Sequence, residues 1–164
     1  MAGKAKAVPE GTHTVTAHLF VRGGDKAIEF YQKAFGAEVV GVHHTPDGKV
    51  MHAALQIGDS RVMLADEWPA FGSSSPQSLG GSPVVLNIYV EDVDALFNRA
   101  VAAGATVTMP LADMFWGDRY GQVVDPFGHK WALGKHIEDV APDELERRAT
   151  AMFADMGKAG HAGA

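Results

Sequence analysis

A chain of 164 residues, 46% hydrophobic and 21% charged, has the make-up of an ordinary globular protein large enough for one shared core. A net charge of −6 with no lysine or arginine run argues against a nucleic-acid partner, and zero cysteines exclude disulfides, thiolate catalysis and zinc–thiolate sites. No apolar run approaches the ~20 residues of a membrane span, and the opening Met1-Ala2-Gly3-Lys4-Ala5-Lys6 lacks an apolar signal core, so a cytoplasmic protein without a membrane partner is expected.

Residues 1–11 are small and polar and are expected to be a flexible tail. From Thr12 to Val21 apolar and polar residues alternate in part, as in a strand covered on both faces. Gly23-Gly24 breaks it, and Asp25 is the expected N-cap of a helix whose stripe is Ala27, Ile28, Tyr31, Ala34 and Phe35. Gly36 stands where a left-handed C-cap belongs. Strands follow at Glu38–His44, Val50–Ile57 and Arg61–Ala65, punctuated by Pro46-Asp47-Gly48 and Gly58-Asp59. Residues 69–83, rich in Gly, Ser and Pro, read as a linker or mobile loop.

The pattern then restarts. Val84–Val90 reads as a strand, Asp92 as an N-cap, and Val93, Leu96, Phe97, Ala100 and Val101 as a helical stripe ending at Gly104. Ala105–Met109 is a strand. Tyr120–Val124 and His129–Leu133 form a hairpin around Asp125-Pro126-Phe127-Gly128, where Pro126 presets the turn. Gly36-Ala37-Glu38 matches Gly104-Ala105-Thr106, and Arg61-Val62-Met63-Leu64 matches Lys130-Trp131-Ala132-Leu133, at offsets of 68 and 69 residues. The chain is therefore two copies of one β-α-β-β-β unit. The fold class is α+β: two tandem modules, about 12–68 and 83–137, forming a curved eight-stranded sheet cleft. An amphipathic helix over 138–156 is appended. Pro142 fits its first position, and Leu145, Ala149, Met152, Phe153 and Met156 give it an apolar stripe suited to its own sheet or to a partner subunit. Residues 157–164 are expected to be a second flexible tail.

With the repeat, the Ala-Ile-Glu-Phe-Tyr-Gln-Lys-Ala-Phe-Gly-Ala-Glu helix and the Asp-Pro-Phe-Gly-His-Lys-Trp hairpin in view, residues 12–137 resemble the glyoxalase/bleomycin-resistance/extradiol-dioxygenase superfamily, also called vicinal oxygen chelate proteins. The Phe-Trp-Gly-Asp-Arg-Tyr-Gly run, Phe115 to Gly121, is most similar to the PhnB-like branch. The resemblance implies a homodimer and a divalent metal held by His and Glu from the first and last strand of each module. Counting along the motifs puts those positions on Thr16, Met63, Val85 and Ala132, none of which offers an imidazole or carboxylate.

The leading expectation is therefore a small-molecule binding protein without metal or other cofactor, with His18, Asn87, Tyr89, Trp68 and Trp116 lining the pocket. Aromatic rings at a cavity rim suit a planar or apolar ligand. The alternative is a glyoxalase-like lyase or isomerase with a displaced divalent metal on His18, His52 and Asp66, or with His18 alone as acid–base catalyst. Arg119, Asp118 and Asp125 read as a salt-bridge set of the hairpin, and His129 and the His43-His44 pair as solvent-facing.

Overall fold

The computed structural model describes residues 5–161, with side chains described as far as Ala154; the expected tail at 162–164 and the Met156 side chain lie outside the described residues. The first module comprises β1 (Ala17–Val21), α1 (Gly24–Phe35), β2 (Glu38–His44), β3 (Val50–Ile57) and β4 (Ser60–Asp66). After a 3₁₀ turn at Pro69–Phe71 and the short α2 (Pro76–Leu79), the second comprises β5 (Val85–Tyr89), α3 (Val93–Ala103), β6 (Thr106–Asp113), β7 (Asp118–Val124) and β8 (Lys130–His136). The helix α4 (Pro142–His161) closes the chain and runs into the expected C-terminal tail.

The eight strands form two four-stranded sheets of matching order, β1-β4-β3-β2 and β5-β8-β7-β6. In each module the first strand lies parallel to the last, and the other pairs are antiparallel. The tandem repeat read from the sequence is thus a repeat of topology. β1 and β5 are edge strands that face each other across a cavity. The first strand is shorter than the alternation suggests, beginning at Ala17 rather than Thr12.

Strand parity decides what each sheet buries. Leu19 and Val21 on β1, and Val62 and Leu64 on β4, turn toward α1 and are buried, as Val123, Trp131 and Leu133 are toward α3. The helices also lie against each other, and one continuous core joins the modules. Its centre is aromatic: Tyr31 and Phe35 of α1 meet Trp131 of the second module at ring separations of 5.5 and 4.7 Å, and Phe30 meets Phe127 at 6.1 Å. Each such buried ring contributes roughly 1.5–3 kcal/mol.

The helix ends follow the expected chemistry with one exception. Gly36 and Gly104 take the left-handed C-cap conformation, with φ 68° and 118°, and Asp92 accepts the Ala95 N–H at 3.0 Å. Asp25, however, is not an N-cap: α1 begins one residue earlier behind Gly23, and Asp25 meets His44 Nε2 at 2.9 Å instead.

The stretch 69–83 is not a bare linker. Glu67 accepts from the Ser75 N–H, the Ser78 hydroxyl and Arg22 Nε at 2.8, 2.6 and 2.6 Å, tying α2 back to the first module. The Ser78 hydrogen bond first, then those from Ser75 and Arg22, pull the Glu67 carboxyl down to about 2. The clamp is therefore fully present above the ordinary glutamate range and lost only as pH falls toward 2. Glu67→Gln is expected to speed protease cleavage within 69–83 roughly five- to thirty-fold. An unchanged cleavage rate would show the clamp to be dispensable.

Candidate functional site

The sheet faces turned away from the helices are open. On the second sheet the cross-strand register arranges this face in three rows: Asp118 beside His136, then Tyr120–Gly134–Tyr89, then Gln122–Ala132–Asn87. In the second and third rows the central strand carries only glycine and alanine, and the flanking side chains close over it: Ala132 is 1% exposed and Gly134 is buried. A Cβ at Gly134 would lie 3.1 Å from Tyr89 Cε1, because the Tyr89 ring crosses over that residue.

Beyond Gly134 the Tyr89 hydroxyl reaches Asp118 Oδ2 at 2.7 Å. Trp116 Nε1 donates to the same oxygen at 3.1 Å, and His136 Nδ1 meets Oδ1 at 2.8 Å. Trp116 in turn packs edge-on to Tyr120 at 5.5 Å, and Gln122 Nε2 donates to the Tyr120 hydroxyl at 2.9 Å. One buried carboxylate thus holds an aromatic platform, with Asn87 and Gln122 as amides over Ala132. Asn87 is exposed and its amide has no protein partner among the described residues.

Burial pushes the Asp118 carboxyl up, but hydrogen bonds from His136, Tyr89 and Trp116 outweigh this and hold it below the usual aspartate range. The bond to Asp118 raises the Tyr89 hydroxyl. His136 is raised by Asp139, whose Oδ1 is 2.9 Å from Nε2, and then by Asp118. A raised histidine stabilises the fold below its unfolded value near 6.5, and that contribution is lost as pH rises through the folded value. The His136 ring signals are accordingly expected to titrate above 6.5 in an NMR pH series and to move down in Asp139→Asn. A midpoint at or below 6.5 would contradict the pairing.

The first sheet offers a different open face. His18 pairs with Met63 across the parallel ladder, as Asn87 pairs with Ala132. Thr16 lies before β1, its hydroxyl donating to the His13 carbonyl. His18 stacks on Phe20 at 4.9 Å and meets the His52 ring edge at 5.9 Å. Burial and then His52 lower the His18 imidazole.

Asp66 does not join these histidines. It belongs to the buried face, where it accepts the Gly23, Gly24 and Val50 N–H groups at 2.8, 3.0 and 2.8 Å. Among the described residues no three His, Asp or Glu side chains converge as a metal would require. The register corrects the counted positions: Met63 and Ala132 stand beside His18 and Asn87, not Thr16 and Val85, so the four places hold one imidazole and no carboxylate. Trp68 also stands apart from Trp116: it ends the first module, under Lys49 Nζ at 4.9 Å. Of the five expected pocket residues, the structure brings together Asn87, Tyr89 and Trp116.

Three further expectations are corrected. Arg119 does not pair with Asp118 or Asp125 but grips Asp94 at 2.6 Å and Asp113 at 2.9 Å, because alternation sends it to the other face of β7. Asp125 instead accepts Tyr31 Oη and Trp131 Nε1 at 2.7 and 2.8 Å. His129 turns inward, its Nε2 3.0 Å from the Phe20 carbonyl. Tyr120, Gln122, Gly134 and His136 were not singled out from the sequence. The alternation Asp118-Tyr120-Gln122 was the available signal.

The family model described as Glyoxalase/Bleomycin resistance protein/Dioxygenase superfamily matches residues 12–133. An uncharacterized protein of Mycobacterium tuberculosis (strain H37Rv) is 50% identical over 135 residues, covering 80% of this chain and 79% of that protein. Among solved structures, TioX from Micromonospora sp. ML1 is 28% identical with a TM-score of 0.61, covering 76% of this chain and 99% of its own. The PhnB protein from Bacillus cereus, 21% identical with a TM-score of 0.57 and covering 75% of this chain and 99% of its own, shares the fold.

Proposed function

We propose that this chain, which belongs to the glyoxalase/bleomycin resistance protein/dioxygenase superfamily, is a metal-independent binding protein for a planar small molecule with a hydrogen-bonding edge. The observation that carries the reading is the composition of the second sheet's open face. The face offers rings to stack on and amides to hydrogen-bond, laid over the small residues Ala132 and Gly134, which they cover. Aromatic faces supply contact area at small entropic cost, and amides fix orientation. The other reading, a displaced metal on His18, His52 and Asp66, is weakened by the engagement of Asp66 with three backbone N–H groups.

The protein is proposed to act in the cytoplasm as a homodimer. Exposed Phe153 on α4 and the uncovered sheet faces give dimerisation a motive. No helix of the described residues is long and apolar enough to cross a membrane.

Metal analysis of purified protein, repeated after adding nickel, zinc or manganese, tests the first half of the reading; no stoichiometric metal is expected. A tightly bound equivalent that disappears in His18→Ala would refute it. A thermal-shift screen of planar compounds tests the second half. Hits are expected to lose about 2 kcal/mol of binding energy, roughly thirty-fold in affinity, in Trp116→Ala while Trp68→Phe leaves them unchanged.

A further inference from the structure

The seam between the modules holds a cavity of about 690 Å³, within the usual range of small-molecule sites. Its inner wall is apolar, with Phe35, Leu96 and Trp131 drawn from the shared core. Two arginines are among the residues that line the cavity, Arg61 of β4 and Arg99 of α3.

The chain has six arginines. Arg22, Arg119, Arg147 and Arg148 each grip a carboxylate. Arg61 and Arg99 have no carboxylate partner among the described residues: Arg61 Nε donates to Gln56 Oε1 at 3.2 Å, and Arg99 Nε to the Ala34 carbonyl at 2.9 Å. Shortage of acids is not the reason, since the chain has 20 Asp and Glu against 14 Lys and Arg. Asp59, also on the wall, takes the Ser60 hydroxyl at 2.8 Å and pairs with neither guanidinium. The two arginines without an acid therefore line one cavity, whose wall combines the apolar Phe35, Leu96 and Trp131 with polar groups at His13, Ser60 and Asn87.

We propose that this cavity binds an amphipathic organic anion, a carboxylate on an apolar body, with its head at Arg61 and Arg99 and its body along Phe35, Leu96 and Trp131. Guanidinium forks match a carboxylate's two oxygens, and a partly enclosed pair is screened less by salt than one at the surface. The apolar body gains by leaving water. The cavity adjoins the open-face platform: the two regions meet through β5 and β8, and Asn87 and Tyr89 border both, while Arg61, Arg99, Phe35 and Leu96 belong to the cavity alone.

The test is calorimetric titration of the full chain with octanoate and 2-naphthoate, each against its neutral alcohol, octan-1-ol or 2-naphthalenemethanol. At least one acid is expected to bind at least about tenfold more tightly than its alcohol, and Arg61→Gln to weaken that acid about tenfold without moving the alcohol or the melting midpoint. Arg99→Gln, followed by melting because Arg99 also ties α3 to α1, is expected to do the same to the acid. Trp116→Ala, on the platform and outside the cavity lining, is expected to leave the acid's affinity within about twofold. Absence of acid binding at millimolar concentration, equal binding of acid and alcohol, or indifference to Arg61→Gln would overturn the proposal. So would loss in Trp116→Ala alone, since the acid would then occupy the open face.

Discussion

Asp125→Ala is expected to cost the fold about 3–5 kcal/mol, read as a lower urea midpoint at unchanged slope. The carboxylate is 4% exposed and accepts four hydrogen bonds: Tyr31 Oη at 2.7 Å, Trp131 Nε1 at 2.8 Å, the Phe127 N–H at 2.9 Å and the His129 N–H at 3.0 Å. Tyr31 and Trp131 are themselves buried, so removing the acceptor strands two donors where water does not reach. A buried donor left unmade costs roughly 1–3 kcal/mol, and the turn loses its internal brace as well. Against a total stability of about 5–15 kcal/mol this is a large fraction. Tyr31→Phe, which removes a single donor, is expected to cost only about 1–2 kcal/mol. A loss below about 1 kcal/mol in Asp125→Ala would mean that the bonds do not persist in solution. Burial pushes the Tyr31 hydroxyl well above the ordinary phenol range, with Asp125 adding to it, so this bond survives alkaline conditions that would ionise an exposed tyrosine.

Asp118→Ala is expected to act on binding more than on folding. Tyr89 and Trp116 are far enough out of the core for water to satisfy their freed donors, but neither ring then has a fixed direction. Re-ordering each side chain on binding costs roughly 0.5–1.5 kcal/mol, so a planar ligand found by thermal shift should lose about 1–3 kcal/mol, or roughly five- to hundred-fold. Tyr89→Phe frees one ring only and should lose less. Binding unchanged in both variants would place the ligand elsewhere than on the platform.

Most of the fold was legible because its signals are local. Glycines at the helix ends, Asp92 at an N-cap and alternating strands are readable one element at a time, and the 68- and 69-residue offsets then show the duplication. The misreadings share another cause. Asp25 as a cap, Arg119 as partner of Asp118, and 69–83 as a bare loop were judged from neighbours in sequence. Their real partners lie 19, 25 and 11–56 positions away, in His44, Asp94, and the Glu67–Ser78–Arg22 clamp.

The candidate site divides the same way. Asn87 and Tyr89 could be placed on one face by parity alone. That a glycine at 134 lets Tyr89 lie flat toward Asp118 requires the register of three strands. Asp66 shows the opposite limit: a carboxylate at a strand end reads as a ligand, yet three backbone N–H groups already engage it.

The seam marked by Asp125 has a consequence for how the duplicated halves recognise each other. The ladders pair Gln56 with Arg61 and Val124 with Lys130, so Asp125, one residue past Val124, corresponds to Ile57, a side chain without a hydrogen-bond acceptor. The tyrosine–aspartate bond therefore has no mirror image. Two copies that share a backbone plan have become a lock and a key of different cut. A first half that met another first half would bring Tyr31 to Ile57 in place of its acceptor, and the mismatch favours pairing of unlike halves over like.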